Sequence, residues 1–123
     1  MQRLSKALSL GITAAVLLVS IMAIPATAFA GEAEMAAEGK QIAFNRKKGN
    51  CLACHAIDDG VSPGNIGPPL VKMDTRFPNK GAMRDQIWDA TKRNPDTPMP
   101  PFGRHKILSE ADIDKIAAYI WTL

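Results

Sequence analysis

The chain has 123 residues, 15 basic and 12 acidic, with a formal charge of +3, nine prolines and two cysteines. That length bounds the molecule to one small domain beyond any leader, and so even a charge balance excludes a nucleic-acid binder held by a basic surface.

Arg3 and Lys6 precede an apolar run from Ala7 to Ile24, and Pro25 with small residues leads to Ala28-Phe29-Ala30. This is the pattern of a secretory signal peptide over residues 1–30, cut after Ala30, with a mature domain over residues 31–123 that works in the periplasm. An uncleaved anchor is the other reading, since the run is close to the shortest that spans a bilayer. Gly11, Thr13 and Ser20 weigh against it, and no stable membrane anchor is expected. Without Arg3 and Lys6 the basic residues fall from 15 to 13 against 12 acidic ones, a formal charge of +1. The mature part has few apolar side chains with which to build a core alone.

Residues Glu32 to Lys48 read as a helix, acidic early and basic late in Arg46-Lys47-Lys48, with Gly49 as its stop. Met35, Ala36, Gly39, Ile42 and Ala43 make one smooth, small face that another backbone can approach closely. The basic triplet is either a solvated face or a protein docking patch.

Cys51-Leu52-Ala53-Cys54-His55 follows, and the chain has no other cysteine. Two thiols three residues apart can each add across one vinyl group of a haem, and the adjacent imidazole of His55 is then an axial ligand of the iron. A thioredoxin-like dithiol needs a βαβ context that these helical and Pro-rich flanks do not offer. A zinc site from Cys51, Cys54, His55 and His105 requires awkward tetrahedral closure by adjacent residues. A Cys51–Cys54 disulfide closes too small a loop to add much stability.

Asp58 to Pro69 is too rich in glycine and proline for a helix or central strand, and reads as a loop that wraps something. A metal-bound imidazole donates its other ring proton to a fixed acceptor, and Pro68, in Gly67-Pro68-Pro69-Leu70, could offer its carbonyl to His55. A plain Pro-rich turn is the alternative. Met83 to Arg93 recovers helical periodicity before Asn94-Pro95. Ser109 opens the last helix by accepting from the backbone at Asp112, with Leu108 and Ile113 flanking the cap and Ile113, Ile116, Ala117 and Ile120 as its apolar stripe.

The sixth position on the iron has as candidates Met73, Met83, Met99, His105 or an open site. Thioether sulfur suits an electron carrier and raises its potential relative to a second imidazole. Met99 is favoured because Pro98, Pro100 and Pro101 hold its backbone rigid, whereas Met73 and Met83 suit core packing. His105, between Arg104 and Lys106, is the rival.

The order of helix, Cys-x-x-Cys-His, Gly-Pro-x-Leu, methionine loop and terminal amphipathic helix resembles class I cytochromes c. The resemblance implies an all-α fold with one covalent haem c and terminal helices touching near a small residue, here Gly39 facing Tyr119 or a neighbour. It also puts the Pro68 carbonyl on His55. Trp88 is similar to an aromatic that reaches a haem propionate, with core packing as the alternative.

A narrower resemblance lies in Gly49-Asn50-Cys51-Leu52-Ala53-Cys54-His55 and in Met99-Pro100-Pro101-Phe102-Gly103-Arg104, which look like the SoxX subunits of SoxAX cytochrome complexes. It implies a heterodimer with a SoxA subunit that joins thiosulfate to a cysteine of the carrier SoxYZ, an L-cysteine S-thiosulfotransferase. This chain would pass electrons from the SoxA haem to a small soluble cytochrome. It carries no catalytic nucleophile of its own. A free monohaem shuttle, a haem enzyme or gas sensor with an open sixth position, and a zinc-based structural module are the other readings.

Overall fold

The computed structural model describes residues 26–123. The leader expected over residues 1–30 lies outside the described residues except for its last five, which open the first helix. Four α-helices follow in order: α1 Ala26–Phe44, α2 Met73–Arg76, α3 Lys80–Trp88 and α4 Glu110–Ile120, with single 3₁₀ turns at Cys51–Ala53 and Ala90–Lys92. Among the described residues, β structure is limited to one isolated parallel bridge between Ile57 and Leu70. The fold is all-α.

Helix α1 ends four residues earlier than the expected Lys48. The Asn45 side chain accepts from the Lys47 backbone at 2.8 Å, an Asx turn that offers the chain an alternative to the next helical turn. The Lys48 and Asn50 amides then donate back to the Asn45 carbonyl, so the basic triplet lies in a turn. Helix α3 also departs from expectation: it starts at Lys80, where the Asn79 side chain caps the Ala82 amide at 2.8 Å. It stops at Trp88 rather than Arg93, because Asp89 leaves helical angles at φ −154° and turns its carboxylate onto the Thr91 amide and hydroxyl.

Helix α4 starts as expected. Ser109 accepts from the Asp112 amide at 3.1 Å, and Ile113, Ile116, Ala117 and Ile120 are all buried. Burying each of the isoleucines is worth about 1.5–3 kcal/mol. This face packs on α1, where Ile42 and Ala43 join the same core cluster. The two helices cross at Gly39. A Cβ there would lie 1.9 Å from the Lys115 carbonyl oxygen, so only glycine admits so close an approach of backbone to backbone. The neighbour Gly39 meets is therefore the Lys115–Ile116 backbone, while Tyr119 sits edge-on to Phe44 with ring centroids 6.1 Å apart.

Ion pairs clamp the helices further. Lys115 meets Glu38 across the α1–α4 contact, and Arg84 on α3 reaches both Glu110 and Asp114 on α4. Those two carboxylates, Asp114 first, hold the Arg84 guanidinium above its ordinary pKa.

Candidate haem site

The haem-attachment run occupies the 3₁₀ turn directly after α1. Asn50 turns the chain at φ 49°, and the Cys54 and His55 amides both donate to the Cys51 carbonyl, at 3.2 and 2.9 Å. Both sulfurs and the imidazole thereby issue from one tight turn. The Pro-rich loop lies along this turn: Gly64 donates to the Leu52 carbonyl, Gly67 to Cys54 and Leu70 to Ala56, at 2.8–2.9 Å. What the loop wraps is the cysteine motif itself.

His55 donates from Nδ1 to the Pro68 carbonyl at 2.7 Å, which leaves Nε2 as the ring nitrogen with a free lone pair. Gly67 makes room for that ring, since a Cβ at residue 67 would lie 2.3 Å from His55 Cε1. Sequence reasoning had Gly67 as a breaker and as the head of the Gly-Pro-x-Leu motif, but not as the residue that makes room for the ring. Lys40 steadies the start of the loop, reaching Asp58 at 2.9 Å and Asp59 at 2.7 Å while lying over the Phe44 and Tyr119 rings. Hydrogen bonds that it donates to Asp59 and Asp58 push its ammonium pKa above the ordinary lysine value, and burial pushes the Tyr119 hydroxyl up to about 12.

Cys51, Cys54, His55 and Pro68 all border one cleft of about 990 Å³, which Met99 also lines. That volume stands at the upper end of the ~300–1,000 Å³ typical of cofactor sites. The Met99 segment is held by its prolines and by short turns, with Thr97 Oγ1 accepting from the Met99 amide at 3.2 Å. Met73 and Met83 are buried in the core and line the same cleft. His105 is exposed and does not line it. Nor does Trp88, whose indole N–H donates to Glu110 Oε1 on α4 at 2.8 Å.

The lining fits a haem. Aliphatic, methionine, phenylalanine and proline side chains supply an apolar wall, with a histidine lone pair available at one point. Gln86 Oε1 is buried beside the cleft with no hydrogen-bond partner among the described residues. Burial pushes the Cys51 thiol up to about 11. Among the described residues, no group of three or more His, Cys, Asp or Glu side chains is placed to hold a bare metal ion, so the four zinc ligands considered above do not come together.

Arg76 and Arg93 border the cleft as well, and sequence reasoning missed both. Arg76 donates to the Pro69 carbonyl at 2.8 Å and to Met73 Sδ at 3.3 Å, and Arg93 lies 5.0 Å from the centre of the Phe77 ring. The three-residue step from Met73 to Arg76 along one helix was the available signal.

The family model described as Cytochrome C oxidase, cbb3-type, subunit III matches residues 34–120. This chain belongs to that family of c-type cytochromes. Its cofactor is haem c, attached covalently, and Cys51 and Cys54 stand in the family's Cys-x-x-Cys-His motif. When bound, the haem supplies a one-electron redox centre. The chain is also 35% identical over 75 residues, 60% of its own length, to an uncharacterised lipoprotein of Aquifex aeolicus (strain VF5). It spans 36% of that relative's length. Among the described residues, no helix is long and apolar enough to cross a membrane.

Proposed function

We propose that this cytochrome is the SoxX subunit of a periplasmic SoxAX heterodimer, exported by a leader over residues 1–30 that is removed after Ala30. The family match begins at residue 34, just past the expected cut, which supports that boundary. In this reading Cys51 and Cys54 hold the haem, and His55 and Met99 are its axial ligands. The Pro68 carbonyl fixes the His55 tautomer so that Nε2 faces the iron.

Joining thiosulfate to a SoxYZ cysteine forms one sulfur–sulfur bond, and it releases one proton from the thiol and two electrons. The bond-making chemistry belongs to SoxA. This chain takes the electrons one at a time and passes them to a small soluble cytochrome. With both thiols engaged by the haem and His55 and Met99 on its iron, the chain would have no thiol left to attack a substrate and no open iron position.

The observation that carries the proposal is the Met99-Pro100-Pro101-Phe102-Gly103-Arg104 stretch, which looks like SoxX and whose methionine lines the cleft beside the cysteine motif. A tagged chain expressed in its native host is expected to copurify with a second haem protein. Recovery of a lone monohaem monomer overturns the assignment and favours the second reading, a free shuttle.

A further inference from the structure

The chain leaves the end of α3 at Trp88, passes through the 3₁₀ turn Ala90–Lys92 and the prolines around Met99, and at Gly103 returns to its own starting point. Main chain closes the neck of this loop: the Gly103 and Arg104 amides both donate to the Trp88 carbonyl, at 3.0 and 3.3 Å. Side chains close it a second time. Arg104 reaches one oxygen of the buried Asp89 carboxylate at 3.4 Å, and the other oxygen accepts from the Thr91 amide and hydroxyl.

Gly103 belongs to this closure through the room it leaves. A Cβ there would lie 2.0 Å from Trp88 Cδ1, 2.2 Å from Nε1 and 2.5 Å from Cγ, so the indole lies directly against the Gly103 backbone. The ring is not free to turn aside. Its N–H donates to Glu110 on α4, and the Lys92 ammonium stands 4.9 Å from its centre. Gly103 has no positive φ, so space and not backbone angle requires a glycine.

Inside the loop the hydrogen bonds are local. The Asn94 amide donates to the Ala90 carbonyl, Thr97 to Asn94, and Met99 to the Thr97 hydroxyl, which shapes the turns without tying them to the rest of the domain. Attachment comes from the ends, with Arg93 over the Phe77 ring on one side and buried Phe102 and the neck on the other. Pro100 and Pro101 stand between Met99 and Phe102, and their fixed φ angles carry the position of the neck to the methionine.

We propose that this neck is the positioning device for Met99: Gly103, Trp88 and the Asp89–Arg104 pair hold its thioether at the haem, although none of the four lines the cleft. The inference rests on the reading of Met99 as an axial ligand. A thioether is a soft, neutral donor, and an outside ligand replaces it only while the loop stands open. A loosened neck raises that open fraction, and the apparent affinity for the outside ligand rises in proportion.

The test titrates the oxidised holoprotein with imidazole and follows loss of the weak long-wavelength sulfur-to-iron band. Gly103→Ala drives a methyl into the indole and is expected to raise the apparent imidazole affinity roughly tenfold or more. Arg104→Gln removes the ion pair without adding volume and is expected to act in the same direction by less; it carries the test should Gly103→Ala not fold. Gly39→Ala, which loosens the α1–α4 crossing and leaves the neck intact, is the control, and is expected to bind imidazole as wild type does despite its lower Tm.

A wild type without the band overturns the Met99 reading, and this proposal with it. A wild type that shows the band, with neck variants that bind imidazole no more tightly than Gly39→Ala, overturns the neck alone and leaves Met99 on the iron.

Discussion

Gly39→Ala tests the crossing on which the whole haem frame depends. The new methyl carbon would lie 1.9 Å from the Lys115 carbonyl oxygen and 2.5 Å from its carbonyl carbon, where ordinary contact begins at 3.4 Å. These atoms, and the Ile116 nitrogen beside them, are all backbone, so no side chain can swing aside, and α1 and α4 must part by about 1.5 Å. Overpacking of this kind costs about 1–3 kcal/mol, and the better helix propensity of alanine returns about 0.5–1 kcal/mol. A net loss of about 1–2 kcal/mol lowers Tm by about 4–16 °C in a domain of this size.

Gly31→Ala is the control. It lies on the same helix with nothing within 4 Å of the added carbon, and is expected to leave Tm unchanged or slightly raised. Far-UV circular dichroism on the holoprotein, with the haem absorption followed in parallel, measures both. Equal Tm values for the two variants would refute the reasoning and mean that α1 and α4 meet elsewhere.

Met99→Ala is expected to abolish the weak long-wavelength sulfur-to-iron band of the oxidised protein, whereas His105→Ala leaves it in place; the opposite pattern moves the ligand role to His105. Asp89 is buried, and its carboxyl is held below the usual carboxylate range by the Thr91 hydroxyl, with Arg104 a smaller contributor. Because the folded state binds this proton less readily than the unfolded chain, the contribution is complete above the ordinary aspartate pKa of about 4 and is lost as pH falls towards the lower native value. Asp89→Asn is therefore expected to be less stable at neutral pH and to show a shallower fall of Tm on acidification, followed by thermal melts from pH 7 downwards. An acid limb as steep as that of the unaltered protein would count against this account.

The haem attachment was legible because its chemistry is local. Cys51, Cys54 and His55 need only their own turn to issue together, and one short run of sequence holds them all. Helix α4 was legible for a similar reason: the Ser109 cap and the stripe from Ile113 to Ile120 are patterns of period 3.6 that any partner surface would satisfy. Helix ends were less so. Asn45 and Asp89 stop α1 and α3 through side-chain bonds to the backbone, and such residues choose between helix and turn according to what surrounds them.

What only the tertiary structure decided are contacts between distant segments. Periodicity made the face around Gly39 one that another backbone can approach closely, but that the backbone within reach is that of Lys115 follows from the crossing angle and depth of the whole interface. The partners of Trp88 and Lys40, and the five Lys and Arg side chains that border the haem cleft, were equally hidden. A charge pattern along the chain does not say which charges find a partner across space: among the described residues Lys40, Arg84 and Lys115 meet carboxylates, whereas Arg46 and Lys47 meet none.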